Sequence, residues 1–104
     1  MKPFVYRLLP PRPSFAQDMT EEDRAVMLEH SAYLRRLAAK GEAVAFGPVL
    51  DPKGSWGVGL FQVESAERME EIARADPAIR SGRGFAYEIL PMAALVTGAG
   101  AHPN

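Results

Sequence analysis

His30 lies at the centre of an apolar helical pattern and is the first candidate for chemistry. Successive residues of a helix turn by about 100°, so five apolar residues of the 26–37 stretch share an arc with His30; they are Val26, Met27, Tyr33, Leu34 and Leu37. An imidazole directed into a core needs a hydrogen-bond partner. With a carboxylate as that partner, it is suited to general acid or base catalysis.

Asp76 is the predicted partner of His30. It lies seven residues after Met69, on the inner stripe of a second predicted helix. The two residues follow their helix N-caps, Thr20 and Ser65, by ten and eleven residues. Each therefore lies roughly 15 Å along its helix. Packed helices are about 8–10 Å apart, so two inward side chains at the same height can meet.

Both residues also have structural interpretations that the sequence leaves open. His30 could be a core histidine that a single carbonyl or carboxylate satisfies. Asp76 could cap a short helical turn, with Pro77 at its first position and Gly82 beyond its end. Capping is compatible with a His/Asp dyad, in which His30 acts as general base or acid and Asp76 orients it.

Four further residues are candidates for substrate binding: Arg12, Gly47, Trp56 and Ser81. Arg12 suits an anionic group and Trp56 a flat apolar one, although solvent exposure or packing would also explain them. Ser81 lies near Asp76 in the sequence, but a lone serine does not make a nucleophile. Proton movement on a bound substrate, or attack by activated water, therefore fits better than covalent catalysis. A lone His with one Asp is a poor metal site, so neither a metal nor a cofactor is expected.

The elements that must position these residues follow the order β-α-β-β-α-β. Strands are predicted at residues 4–9, 42–47, 56–63 and 84–90, and helices at residues 20–40 and 66–75. Residues 10–19, which include three prolines, are predicted to form a long loop, and residues 92–104 a C-terminal tail after a single domain at 1–91. This order is that of an α+β, ferredoxin-like sandwich, with both helices on one face and the first and third strands at the centre.

The first strand is apolar on both faces, because Phe4, Tyr6 and Leu8 alternate with Val5 and Leu9. Two helices on one face of the sheet leave the other face uncovered. A large exposed apolar patch on a protein surface is typical of an interface. We therefore expect a homodimer joined through the open sheet face.

The net charge, the length of the apolar runs and the cysteine count limit the possible partners and location of the protein. A net charge of −1 over 104 residues argues against a sequence-independent nucleic-acid binder. No apolar run approaches the roughly 20 residues that span a membrane, and the N-terminus lacks the apolar region of a signal peptide. The sequence has no cysteine and hence no disulfide framework. A cytoplasmic location is the resulting expectation.

An ordered set of short motifs resembles the YciI-like family of YCII-related domains. The set comprises the helix around His30 to Leu34, Gly41, Phe46-Gly47-Pro48, the turn from Asp51 to Gly54, Ala75-Asp76-Pro77 and Gly82. The resemblance covers about residues 3 to 91. It implies a ferredoxin-like, dimeric α+β barrel with a His/Asp pair in a cleft and an enzymatic role.

Two functions of different classes follow. The first is a small acid–base enzyme, of hydrolase, lyase or isomerase type, that acts on a small organic molecule through His30 and Asp76. The second is a non-catalytic dimer that binds a small ligand or a partner. They differ in whether His30 faces a cleft that a substrate can enter.

Overall fold

Four strands form one antiparallel sheet in the computed structural model, which describes residues 1–98. The strands are β1 (Lys2–Leu9), β2 (Ala43–Val49), β3 (Trp56–Val63) and β4 (Ala86–Pro91), and the helices are α1 (Phe15–Asp18), α2 (Glu21–Ala39), α3 (Ala66–Ala75) and α4 (Pro77–Arg80). The strand order is β2-β3-β1-β4, so β1 and β3 occupy the centre. This confirms the predicted ferredoxin-like α+β fold. In the described part of the chain, no helix combines the length and apolarity that a membrane span requires.

The core lies between one face of the sheet and the helices. On β1, the side chains of Phe4, Tyr6 and Leu8 are buried, whereas their neighbours in the strand are only half-buried. The buried set packs against apolar side chains of α2 and α3, which include Leu34, Leu37, Met69 and Ile72. The alternation of burial along the strand thus separates a covered face from an open one.

Local signals in the sequence fix where the two long helices begin and end. Thr20 and Asp23 form a reciprocal capping box at the start of α2, and Gly41, with a φ of 83°, follows its end. α3 starts at the N-cap Ser65 and ends at Asp76, because Pro77 disfavours helical backbone at the residue before it. Asp76 then caps α4, as the sequence predicted for this turn.

The proline-rich segment 10–19, predicted as a loop, contains the short helix α1. Its anchor is Phe15, which is buried and packs edge-to-face on Phe85 with the ring centroids 5.2 Å apart. Ser14 and Arg12 both donate to the Asp18 carboxylate at 2.7 Å and fold the turn on itself. The contact between Phe15 and Phe85, which are 70 positions apart in the sequence, favours this helical turn. The proline content of the segment does not predict that contact.

The remaining differences concern element ends. β2 continues through Pro48 as an edge strand, where a missing N–H leaves no partner unsatisfied. β4 begins at Ala86, two residues later than predicted, after Gly84 with a φ of 97°. The predicted tail pairs briefly with the sheet through the N–H of Met92, which donates to the carbonyl of Pro3 at 3.0 Å. The last six residues, including His102, lie outside the described part of the chain.

Candidate functional site

His30 and Asp76 are in direct contact between α2 and the α3–α4 junction. Nδ1 of His30 lies 2.9 Å from each of the two carboxylate oxygens of Asp76. Helical periodicity turns the imidazole inward from α2, and Pro77 ends α3 so that the Asp76 carboxylate points back at the same level. The contact is short enough for a hydrogen bond to either oxygen.

Two further donors hydrogen-bond to the Asp76 carboxylate. The hydroxyl of Tyr6 donates to Oδ2 at 2.7 Å, and the N–H of Ala78 donates to Oδ1 at 2.9 Å. The carboxylate itself is fully buried. Burial, followed by the charge of Asp76 and the hydrogen bond to it, raises the pKa of Tyr6 far above its ordinary value, so the phenol stays protonated. Because a carboxylate accepts only, Nδ1 of His30 must carry the ring proton, which leaves the lone pair on Nε2.

Nε2 of His30 is not sealed in the core. It makes no hydrogen bond to the described residues, yet the only buried side-chain nitrogen or oxygen without a partner in residues 1–98 is Nε of Arg7. His30 is 9% exposed to solvent and forms part of the wall of a cavity of about 410 Å³. The basic nitrogen is therefore accessible from that cavity.

The cavity wall is predominantly apolar. It is formed by residues of β1, the 10–19 segment, α2, β2 and β3, among them Phe15, Met19, Met27, Phe46, Trp56 and Val58. Trp56 is held on two sides, since its indole N–H donates to Asp51 at 3.1 Å and the Arg7 guanidinium lies 4.2 Å from its ring centroid. A cavity of this volume with a rigid aromatic wall suits a small, ring-shaped molecule.

Residues 4–93 match the YCII-related domain. The chain belongs to this family. The YCII-domain chain is also similar in structure to 5-chloro-2-hydroxyhydroquinone dehydrochlorinase from Burkholderia phenoliruptrix AC1100, solved in complex with 2,5-dihydroxybenzoquinone. The TM-score is 0.60 at 23% sequence identity, over 86% of this chain and 90% of that one, which shows a shared fold. No curated protein matches the chain.

The structure places two of the four predicted substrate-binding residues of this YCII-domain protein at the cavity. Gly47 and Trp56 contribute to its wall, together with His30. Ser81 lies elsewhere: its hydroxyl donates to the carbonyl of Ala78 at 2.6 Å and closes the turn after α4. Arg12 is also outside the wall, because its guanidinium pairs with the carboxylates of Asp18 and Asp23.

Asp23 holds the segment that covers one side of the cavity. Its buried carboxylate accepts hydrogen bonds from the backbone N–H of Thr20, Nε of Arg83 and Nη2 of Arg12, at 3.0, 2.8 and 3.2 Å. These donors, the Thr20 N–H first, hold the pKa of Asp23 well below its usual range. Through Arg12, this carboxylate ties the start of α2 to the segment that contributes Phe15 and Met19 to the cavity.

The sequence analysis missed two polar residues of α2 that line the cavity. Ser31 and Arg35 both line it, one helical turn apart on α2. The available signal was their spacing beside His30, which the apolar periodicity alone does not select.

No group of three or more His, Asp or Glu side chains is arranged to hold a metal ion in residues 1–98. Both oxygens of Asp76 already accept hydrogen bonds from protein donors. What the arrangement offers is a proton acceptor with a fixed orientation at an apolar wall.

Proposed function

We propose that this protein is a small acid–base enzyme in which His30 moves a proton on a small organic substrate. The observation that carries the proposal is the pairing of a buried carboxylate, Asp76, with an imidazole whose second nitrogen opens on an apolar cavity. An orienting carboxylate fixes the tautomer of the ring and stabilises the imidazolium formed when the ring takes a proton.

The reaction begins when the substrate presents an acidic C–H or O–H to Nε2 of His30. Nε2 takes that proton and the imidazole becomes imidazolium, while its Nδ1–H remains hydrogen-bonded to Asp76. The electron pair left on the substrate then expels a leaving group, in a lyase reaction, or accepts the proton back at another atom, in an isomerase reaction. In a hydrolase reaction, the proton comes from an attacking water instead.

The cavity and the similar solved structure both support a ring-shaped substrate. The cavity of about 410 Å³ falls within the range of small-molecule sites and has Trp56 and Phe15 in its wall. The similar structure is that of a dehydrochlorinase holding a dihydroxybenzoquinone. Among the three reaction types, we therefore propose proton abstraction followed by elimination or by return of the proton.

A non-catalytic binding module is the alternative, and one observation favours it. Asp76 caps α4 through Ala78 and accepts from Tyr6, so the fold uses this carboxylate whether or not His30 reacts. In that case the same cavity would hold a ligand without changing it.

The experiment that separates the two is proton exchange on candidate ligands in D₂O. A panel of hydroxybenzoquinones and chlorinated hydroquinones is incubated with the protein, and loss of C–H signals and release of chloride are followed. We expect turnover with at least one compound and a loss of about 100-fold or more in His30→Gln. Glu29→Gln, an exposed neighbour on α2, is the matched control and should retain activity. Binding without exchange or release would favour the binding module.

We also propose that a second copy of the chain covers the open sheet face. On that face, Val5 lies opposite Leu60 on one side and Leu90 on the other. Leu90 is 48% exposed, and the helices pack on the opposite face. An apolar cluster on a sheet face that no helix covers is typical of an interface between copies.

A further inference from the structure

Among the described residues, Arg35 is the one Arg, Lys, Asp or Glu that lines the cavity. Its guanidinium makes no ion pair and no hydrogen bond with residues 1–98. Arg12 and Arg83 differ from Arg35 in this respect, because both pair with the Asp23 carboxylate. A free guanidinium beside an apolar wall is a recognition group that residues 1–98 leave without a partner.

The sequence of α2 explains why Arg35 stays free. Helical neighbours three and four residues away are the positions at which a carboxylate would pair with it. Those positions hold Ser31, Ala32, Ala38 and Ala39, none of which is acidic. The cavity wall contains no acidic residue either, because Asp76 is sealed behind His30 and Tyr6.

Ser31 adds a second donor on the same side of the helix. It lies four residues before Arg35, lines the same cavity, and its hydroxyl makes no hydrogen bond within the described residues. A hydroxyl and a guanidinium one turn apart can bind the two oxygens of a carboxylate together. Neither group has another structural task in residues 1–98.

We propose that Arg35 and Ser31 form an anion subsite that selects flat substrates bearing a carboxylate. The inference rests on the proposed function, because it concerns the other end of the molecule on which His30 acts. Arg35 follows His30 by five residues, an axial rise of about 7.5 Å, which is the scale of one aromatic ring with its substituent. The carboxylate binds Arg35, the ring packs against Trp56, and the atom that loses a proton faces Nε2 of His30.

The test compares benzoate with benzamide, which has nearly the same shape and no charge. Affinities are measured by NMR titration, and the ring signals of His30 are followed in the same spectra. We expect benzoate to bind the unmodified protein at least about tenfold more tightly than benzamide. In Arg35→Gln the preference should vanish while benzamide binding is unchanged, and Arg35→Lys should restore part of it.

Arg36→Gln is the matched control for the loss of one positive charge. Arg36 is the next residue on α2 and lies over the Tyr33 ring, 5.9 Å from its centroid, outside the cavity wall. Its variant should keep the full preference for benzoate. Ser31→Ala should weaken benzoate binding a few-fold and leave benzamide unaffected.

Three results would overturn the subsite: no saturable benzoate binding, equal binding of the two probes, or a preference that persists in Arg35→Gln. Failure of the proposed function has a different signature. If the preference depends on Arg35 but neither probe shifts the His30 ring signals, the subsite stands and the proton-transfer role of His30 is contradicted. If both probes shift those signals but bind with equal affinity, the subsite alone fails.

Discussion

Nδ1 of His30 lies 2.9 Å from both carboxylate oxygens of Asp76, and the carboxylate is fully buried while the imidazole borders a cavity. Asp76 thus accepts hydrogen bonds from protein donors, whereas the His30 ring borders the cavity. Because Asp76 is a hydrogen-bond acceptor for its other partners, it accepts the Nδ1 proton of His30 as well. A carboxylate cannot donate to Nδ1, so the proton lies on the ring nitrogen that faces Asp76.

The first prediction concerns the tautomer of His30. In the neutral ring, the proton should reside on Nδ1, and ¹⁵N chemical shifts measured through the ring protons distinguish the two nitrogens directly. In Asp76→Asn the amide can present either its oxygen or its NH₂ group to Nδ1, so we expect a mixture of tautomers. A native protein whose neutral ring is protonated mainly on Nε2 would contradict the proposed role of Nε2 as the base.

The second prediction ranks the groups around Asp76 by their effect on stability. Asp76→Ala leaves Tyr6, His30 and the N–H of Ala78 without their buried acceptor, and we expect it to lower the free energy of unfolding by about 3–5 kcal/mol. Tyr6→Phe removes one donor and leaves the carboxylate with two, so we expect it to lower the free energy of unfolding by about 2 kcal/mol.

Urea unfolding monitored by circular dichroism measures both values. Leu28→Ala, at a position 73% exposed on α2, is the control and should change the stability by less than about 0.5 kcal/mol. A cost of Asp76→Ala no larger than that of Tyr6→Phe would show that the carboxylate is not the organising acceptor of the site.

The third prediction concerns acid stability and the Asp23 carboxylate. Because the Thr20 N–H, Arg83 and Arg12 lower the pKa of Asp23 in the folded state, the unfolded state binds a proton first as the pH falls. The stabilisation is therefore present above the unfolded pKa of about 3.9 and is lost as the pH falls below it towards the folded pKa.

Asp23→Asn should accordingly have a lower melting temperature than the native protein at neutral pH, with a difference that shrinks below about pH 4. Thermal unfolding followed across the acid range measures it. Glu22→Gln, an exposed acid in the same helical turn, should show a small difference with little dependence on pH. A constant difference between native protein and Asp23→Asn would indicate that the carboxylate acts only through packing.

The parts of the site that the sequence predicted are those set by regular structure. Helical periodicity and the distances from Thr20 and Ser65 were enough to bring His30 and Asp76 to one level, because both helices cross the sheet in the same direction. The β-α-β-β-α-β order likewise placed β1 and β3 at the centre. The catalytic role of the pair stays a prediction.

Sequence reasoning failed where a side chain chooses among several partners in space. Arg12 was one candidate for binding an anionic group of a substrate, with solvent exposure or packing as the alternative; in the structure, Asp18 and Asp23 lie within its reach and pair with it. Arg35 has no such partner in the described part of the chain and lies at the cavity instead. The pairing of Arg12 depends on the fold of the 10–19 segment, in which Phe15 packs against Phe85, a residue 70 positions away in the sequence.

The fourth prediction concerns the open sheet face. If a second copy covers it, Leu60→Lys should convert the homodimer into a monomer, because a lysine in the middle of an apolar interface must lose its hydration. Light scattering after size exclusion gives the mass directly. Leu28→Lys, which places the same charge on the exposed side of α2, should leave the dimer mass unchanged. A native protein with the mass of a single chain at micromolar concentration would contradict the proposed dimer. A Leu60→Lys variant that remains dimeric would place the interface on a different face of the molecule.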